Sequence, residues 1–278
     1  MLDSLIRNAR IFDLGRPLER GMPQSPNHPP FQMILERRHG DRLRPDDTSA
    51  SNEIIITGGH VGTHVDALSH FSCGGKLHGG VDALEAQTGG RFKQHGAETL
   101  PLIFGRGVLL DIPAHIGEAA CAAGYQISSA ELQLAAQAVG VSIGAGDSVL
   151  IRTGWGQHWH NAQTFLGLED GLPGPGVEAI EWLCDRGVRL VGSDTLAFEH
   201  IAPGKGLSEL PGHKILLVDH GVPIIEMLDL ETLAAEGPTE FIFVMAPLKV
   251  VGATASPVRP FAVALPQSSA EELHDVGA

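Results

Sequence analysis

Short apolar runs closed off by glycine, proline or polar residues alternate along this chain with stretches of helical periodicity. Ile54-Ile55-Ile56, within the segment 53–57, is a β-branched run that predicts a buried strand. The run 107–112 (GVLLDI) predicts a second, ended by Pro113. Ser128 or Ser129 can cap a helix that stops near Gly140, after which Gly146-Asp147 leads into a strand over 148–152. The segment 176–186 predicts a helix ended by Gly187, and 188–192 predicts the next strand. Further strands are expected over 215–218, 223–225, 241–245 and 258–263. Two segments break the pattern, the proline- and glycine-rich 16–30 and the polar 39–52, and both predict irregular surface loops. Helices and strands interleave, which predicts an α/β fold on a mixed central sheet. No linker divides the chain, so one domain is expected over residues 1–278.

Composition narrows the function more than the fold. A chain of 278 residues can bury a full core, and 43% hydrophobic with 19% charged residues is an ordinary globular balance. The formal charge of −14 argues against a nucleic-acid partner, which needs a basic face, and leaves no polybasic patch for an anionic membrane. It leaves carboxylates and 14 histidines free to hold a cation. Cys73, Cys121 and Cys184 form no CxxC pair, which argues against a disulfide framework or a cysteine-rich zinc site and fits a reducing compartment. The opening MLDSLIRNARIFDLG carries Asp3 and lacks the apolar stretch of a signal peptide. No run approaches the roughly 18 apolar residues of a membrane helix. A cytoplasmic protein acting on a small molecule is the expectation.

The chemistry concentrates in Gly58-Gly-His60-Val-Gly62-Thr63-His64-Val-Asp66-Ala-Leu-Ser-His70. On a helix His60 and His64 would share a face while Asp66 pointed away. On an extended strand His60, Gly62, His64, Asp66 and His70 have one parity, and the preceding isoleucines favour that geometry at least through Asp66, with His70 there or beyond a bend. Two imidazoles and a carboxylate suit Zn²⁺ above all, with Mn²⁺ and Fe²⁺ open. Three protein ligands leave a position for water, whose pKa a metal lowers to about 7. His70 would then act as general base and later acid, and Thr63 would hydrogen-bond a ligand or a bound water.

His60-x-Gly-Thr-His64-x-Asp66-x-x-x-His70 resembles the signature of the metal-dependent cyclase/hydrolase family, which includes bacterial kynurenine formamidase and isatin hydrolase. Phe12-Asp-Leu-Gly-Arg-Pro-Leu, Gly21-Met-Pro23, Ile151-Arg-Thr-Gly-Trp155, the block from Val188 to Thr195, His213-Lys-Ile-Leu-Leu, Val222-Pro-Ile-Ile-Glu226 and Ser256-Pro-Val-Arg259 extend the likeness over most of the chain. The resemblance implies a swivelling β/β/α fold, homodimers or homotetramers, metal on His60, His64 and Asp66, and His70 as proton shuttle. It also implies a second ion in formamidase-like members, with Asp66 bridging and His213 and Glu226 as added ligands. Ala67-Leu68 departs from the Ala-Pro common after the aspartate, and the stretch 158–175 is longer than in compact formamidases, which bears on substrate more than on metal.

These readings combine into a zinc- or manganese-dependent hydrolase, with one or two ions, that opens or cleaves a cyclic amide or imide, an aryl formamide or a lactone. Phe31, Trp155, Trp159 and Phe198 are candidates for an aromatic wall around the substrate, core packing being their other common job. Two rivals stand beside it. One is a non-haem iron oxygenase using His64, Asp66 and either His200 or His213 as a facial triad; the other is a metal-binding protein without catalysis.

Overall fold

One mixed sheet organises the protein in a computed structural model that describes residues 7–266. Part of the N-terminal stretch weighed above as a signal sequence lies outside the described residues. The strands are β1 (Arg10–Asp13), β2 (Gln32–Arg37), β3 (Asn52–Ile56), β4 (His64–Asp66), β5 (Ile103–Asp111), β6 (Gln126–Ile127), β7 (Ser148–Arg152), β8 (Gly174–Pro175), β9 (Leu190–Ser193), β10 (Ile224–Glu226), β11 (Glu240–Met245), β12 (Ala255–Pro257) and β13 (Phe261–Ala264). Nine of them form the sheet in the order β1-β13-β11-β5-β7-β9-β10-β4-β12, while β2–β3 and β6–β8 are separate ribbons. The run β5-β7-β9-β10 is parallel, and the strands flanking it on both sides are antiparallel.

The parallel strands are buried on both faces, as strands covered on two sides must be. Val108, Leu110, Val149 and Ile151 join one apolar cluster, and the alternate residues Leu109 and Leu150 join the other. The first cluster is covered by helices α1 (Ser129–Ala138) and α2 (Val177–Asp185), which bring Leu132, Ala135, Ala136, Ala179, Ile180 and Leu183. Of the two candidate caps for α1 the fold uses Ser128, whose side chain accepts from the Glu131 amide while Glu131 reaches back to the Ser128 amide.

Of the strand expected over 258–263 only 261–263 is extended, and a separate strand that the pattern did not predict lies just before it. Ala255–Pro257 pairs with β4 at one end of the sheet, and Phe261–Ala264 pairs with β1 and β11 near the other. Only Val258, Arg259 and Pro260 join them, which spans about 14 Å at ~3.5 Å per residue. The sheet therefore curls until its two ends nearly meet.

Two further expectations fail for physical reasons. Ile215, Leu216 and Leu217 are buried as expected, but in a π-helix (Lys214–His220) rather than a strand, because a short apolar run fits a buried helix as well as a strand. Ile54, Ile55 and Ile56 do form a strand, but they are 49%, 56% and 52% exposed, paired only with β2 in a ribbon that stands off the body.

Candidate metal centre

β4 lies between β10 and β12, with Glu226 directly opposite His64 and Ile224 opposite Asp66. His64 and Asp66 share a face through the two-residue period of the strand. His60 does not. It sits in a turn before β4, and Gly62 at φ +67° swings the chain so that the imidazole comes back over Asp66. The extended stretch expected from residue 60 thus begins only at His64. His213 arrives from the turn Pro211–His213 that opens the π-helix. His70 follows β4 in a turn closed by its amide donating to Ala67 O at 2.9 Å.

Glycine at position 62 is required by that positive φ, and a Cβ would also stand 2.4 Å from the Leu18 Cδ2. The Leu18 end can move, so the backbone dominates the cost. Gly62→Ala is expected to destabilise the apoprotein by about 1–3 kcal/mol and lower Tm by several degrees at roughly 2–4 °C per kcal/mol, read by calorimetry. An unchanged Tm would mean that the turn carries no strain.

Three sets of ligand atoms lie within 4.8 Å of one another: His60, His64 and Asp66; Asp66, His70 and His213; Glu199, His213 and Glu226. Asp66 is the hinge of the cluster. Its Oδ1 is 2.7 Å from His60 Nδ1 and 3.5 Å from His64 Nε2, and its Oδ2 is 3.6 Å from His213 Nε2. Glu226 spans the same gap, 3.5 Å from His64 Nε2 and 3.4 Å from His213 Nε2.

The far nitrogen of each ligand-side imidazole is engaged elsewhere. His64 Nδ1 donates to Gly62 O at 2.8 Å, His213 Nδ1 donates to Glu199 Oε2 at 2.7 Å, and His60 Nε2 is 3.0 Å from Thr254 Oγ1. This leaves Nε2 of His64 and His213, and Nδ1 of His60, facing the cluster, where a bound cation would take the place of a proton. Glu226 Oε1 accepts from the Phe198 amide at 3.0 Å.

The centre fits a divalent cation. Nε2 of His64 and both carboxylate oxygens of Asp66 are buried without a hydrogen bond, although buried polar atoms are nearly always paired. Burial opposes a charge on Asp66, yet the imidazoles crowded around it outweigh burial and hold the carboxyl well below its usual range. Burial likewise opposes a charge on His213, but Glu199 and Asp66 outweigh it and raise its pKa well above the ordinary imidazole value. The pocket therefore attracts positive charge at that position.

Above the cluster opens a cavity of about 310 Å³ walled by Phe71, Leu196, Leu207, Leu210 and Met227. His70 lines it with its ring centroid 3.9 Å from that of His60. Burial, only partly offset by Asp66, pushes His70 down to about 3, so its imidazole is neutral.

Several expected positions are corrected. Thr63 touches no ligand: its hydroxyl donates to Met227 O at 2.7 Å and accepts from the Arg16 amide at 2.9 Å, on the other side of the turn. Phe31, Trp155, Trp159 and Phe198 are core residues, because burying large aromatic area is worth more inside than at a cavity mouth. Trp155 Nε1 donates to Phe165 O and is satisfied there. His200, with Nε2 3.0 Å from Gly124 O, is in none of the groups of converging ligand atoms among the described residues, which argues against it as a ligand of the oxygenase-type triad.

Other residues escaped the sequence. His28, in the segment expected to be a mere surface loop, stacks on His60 at 4.9 Å and lines the cavity, and burial pushes it down to about 4. Phe71 is the aromatic wall. Glu199 and Thr254 hold His213 and His60 from distant parts of the chain, and nothing local marked them.

Known proteins resemble this chain over most of its length. An isatin hydrolase from Roseibium aggregatum is 27% identical over 216 residues, 75% of this chain and 73% of its own length. A kynurenine formamidase from Bordetella petrii is 28% identical over 250 residues, 90% of this chain and 96% of its own. A crystal structure described as a novel cyclase superposes with a TM-score of 0.81 at 27% identity, covering 94% of this chain and 93% of that one. The Cyclase family profile matches residues 12–200, a span that holds His60, His64, Asp66 and His70, and the chain belongs to that family.

Proposed function

We propose that the protein is a metal-dependent hydrolase that opens or cleaves a small carbonyl compound: a cyclic amide or imide, an aryl formamide or a lactone. The observation that carries this is the convergence of His60, His64, Asp66, His213 and Glu226 on unpaired buried atoms beneath a cavity lined by a neutral His70. Relatives named isatin hydrolase and kynurenine formamidase support amide bonds as the target.

His60, His64 and Asp66 would hold one ion, and Asp66, His213 and Glu226 a second, with zinc and manganese the candidates. Such a metal supplies a Lewis acid and water of lowered pKa. The chain does the rest. Phe71 and the leucines exclude bulk water and seat the apolar body of the substrate. His70 takes the proton from the attacking water and returns it to the leaving nitrogen or oxygen. Protein purified without added metal should carry zinc or manganese by elemental analysis. It should hydrolyse at least one member of a panel of formamides, imides and lactones, with turnover lost to a chelator and regained on metal return. A metal-loaded protein inert on the whole panel would favour a binding role instead.

The exposed β2–β3 ribbon supports a homodimer or homotetramer. Met33, Ile34, Leu35 and Ile54 to Ile56 are 44–56% exposed, a patch that would drive aggregation if nothing covered it. Light scattering on the purified protein should give a dimer or tetramer mass, and a monomer at working concentration would refute the assembly. The free thiols of Cys73, Cys121 and Cys184 support a cytoplasmic location. Among the described residues no helix is long and apolar enough to cross a membrane.

A further inference from the structure

We propose that Glu199 is the positioning residue of the second metal position, and that it decides whether the centre takes two ions or one. This rests on the metal-dependent reading above but assigns a role to a residue outside the five ligands. Glu199 is 1% exposed and lies within 4.8 Å of His213 and Glu226, so it could be mistaken for a ligand. Both its oxygens are committed elsewhere. Oε1 accepts from the His213 amide at 3.0 Å and Oε2 from His213 Nδ1 at 2.7 Å. A carboxylate bonded twice to one histidine fixes its ring orientation and keeps its proton on Nδ1, so the Nε2 lone pair points at Asp66 and Glu226.

The surroundings are shaped for this contact. A Cβ on Gly212, beside His213, would stand 2.9 Å from Glu199 Cβ and 3.0 Å from its Cδ. Glycine there lets the turn that carries His213 close onto the carboxylate. The preceding residue completes the device, since the Phe198 amide donates to Glu226 Oε1. Two consecutive residues thus hold both ligands that the second position adds to Asp66. His60 and His64 have only a hydroxyl and a carbonyl behind them. Glu199 therefore acts on the second position and not on the first.

Glu199→Gln tests this with little change of shape. Glutamine offers one acceptor and one donor where the carboxylate offers two acceptors. One of the two N–H groups of His213 must then face an NH2, and the ring relieves that only by moving its proton to Nε2, toward Asp66. By titration of metal-free protein with zinc, wild type is expected to bind two equivalents. E199Q is expected to keep the first at wild-type affinity and to bind the second about 10–100-fold more weakly. Nitrogen NMR of the metal-free proteins, taken at a pH high enough for the ring to be neutral, should show the His213 proton on Nδ1 in wild type and shifted toward Nε2 in E199Q. If E199Q does not fold, Glu199→Asp, which keeps the charge but cannot reach both N–H groups, carries the same test with a smaller loss.

Two wild-type-like equivalents in the variants would overturn the proposal, and so would equal weakening of both. A single equivalent in wild type would overturn it too, yet leave a one-metal hydrolase on His60, His64 and Asp66 standing. Failure of the hydrolase reading would look different: no turnover on any carbonyl substrate from protein that is fully metal-loaded.

Discussion

Asp66→Asn is expected to leave the protein with only trace metal and to cost about 10³-fold or more in turnover. Asp66 is the one side chain common to both ligand sets, with Oδ1 toward His60 and His64 and Oδ2 toward His213. Asparagine removes the charge and turns an NH2 toward imidazole nitrogens that need a cation between them. A metal contributes several kcal/mol to the hydrolytic transition state, and each ~1.4 kcal/mol is tenfold in rate, which sets the scale of the loss. The metal-free fold also loses a charge that the surrounding imidazoles stabilise, since they hold the Asp66 carboxyl well below its usual range. Metal-free D66N should therefore stay folded but melt somewhat lower than metal-free wild type. Elemental analysis and the paired melting curves decide the matter: wild-type metal content in D66N would remove Asp66 from the centre.

The parallel half of the sheet was legible because buried parallel strands announce themselves as β-branched runs, as at Ser148–Arg152, and because α1 carries its capping box in plain view. The ligand motif was legible too, but partly through a geometry the chain does not use. Strand parity aligns His64 with Asp66, whereas His60 reaches the same point through the left-handed turn at Gly62. Side-chain types and spacing were enough to pick out residues that converge in space, without fixing the backbone path. The triple isoleucine shows the opposite limit. An apolar strand must be covered, but its sequence does not say by what, and Ile54 to Ile56 are bare within the described chain. Aromatic residues were misplaced for a related reason: Trp155 and Phe198 satisfy burial first, and the wall of the cavity fell to Phe71, which carried no separate signal. Glu199 and Thr254 were invisible because each acts on a histidine 14 or 194 residues away, and no local period encodes such a contact.

His70→Ala is expected to keep its metal and lose about 10²–10⁴-fold in turnover, the usual worth of a positioned general acid–base. The distinction matters because His70 also lies within 4.8 Å of Asp66 and His213 and so has the position of a possible ligand. Its surroundings favour the proton role. The turn after β4 sets its ring against that of His60 at the cavity wall, 5.8 Å from the His213 ring, and among the described residues no partner fixes its far nitrogen as Glu199 and Gly62 O do for His213 and His64. Burial keeps it neutral, so at neutral pH it has a lone pair to take a proton from water. The residue removed leaves a space the shape of imidazole beside the reacting atoms, and added imidazole should restore part of the lost turnover without changing metal content. A fall in bound metal in H70A, with no rescue by imidazole, would make His70 a ligand and leave the proton transfer to another group, for which His28, stacked on His60 and lining the same cavity, is the next candidate.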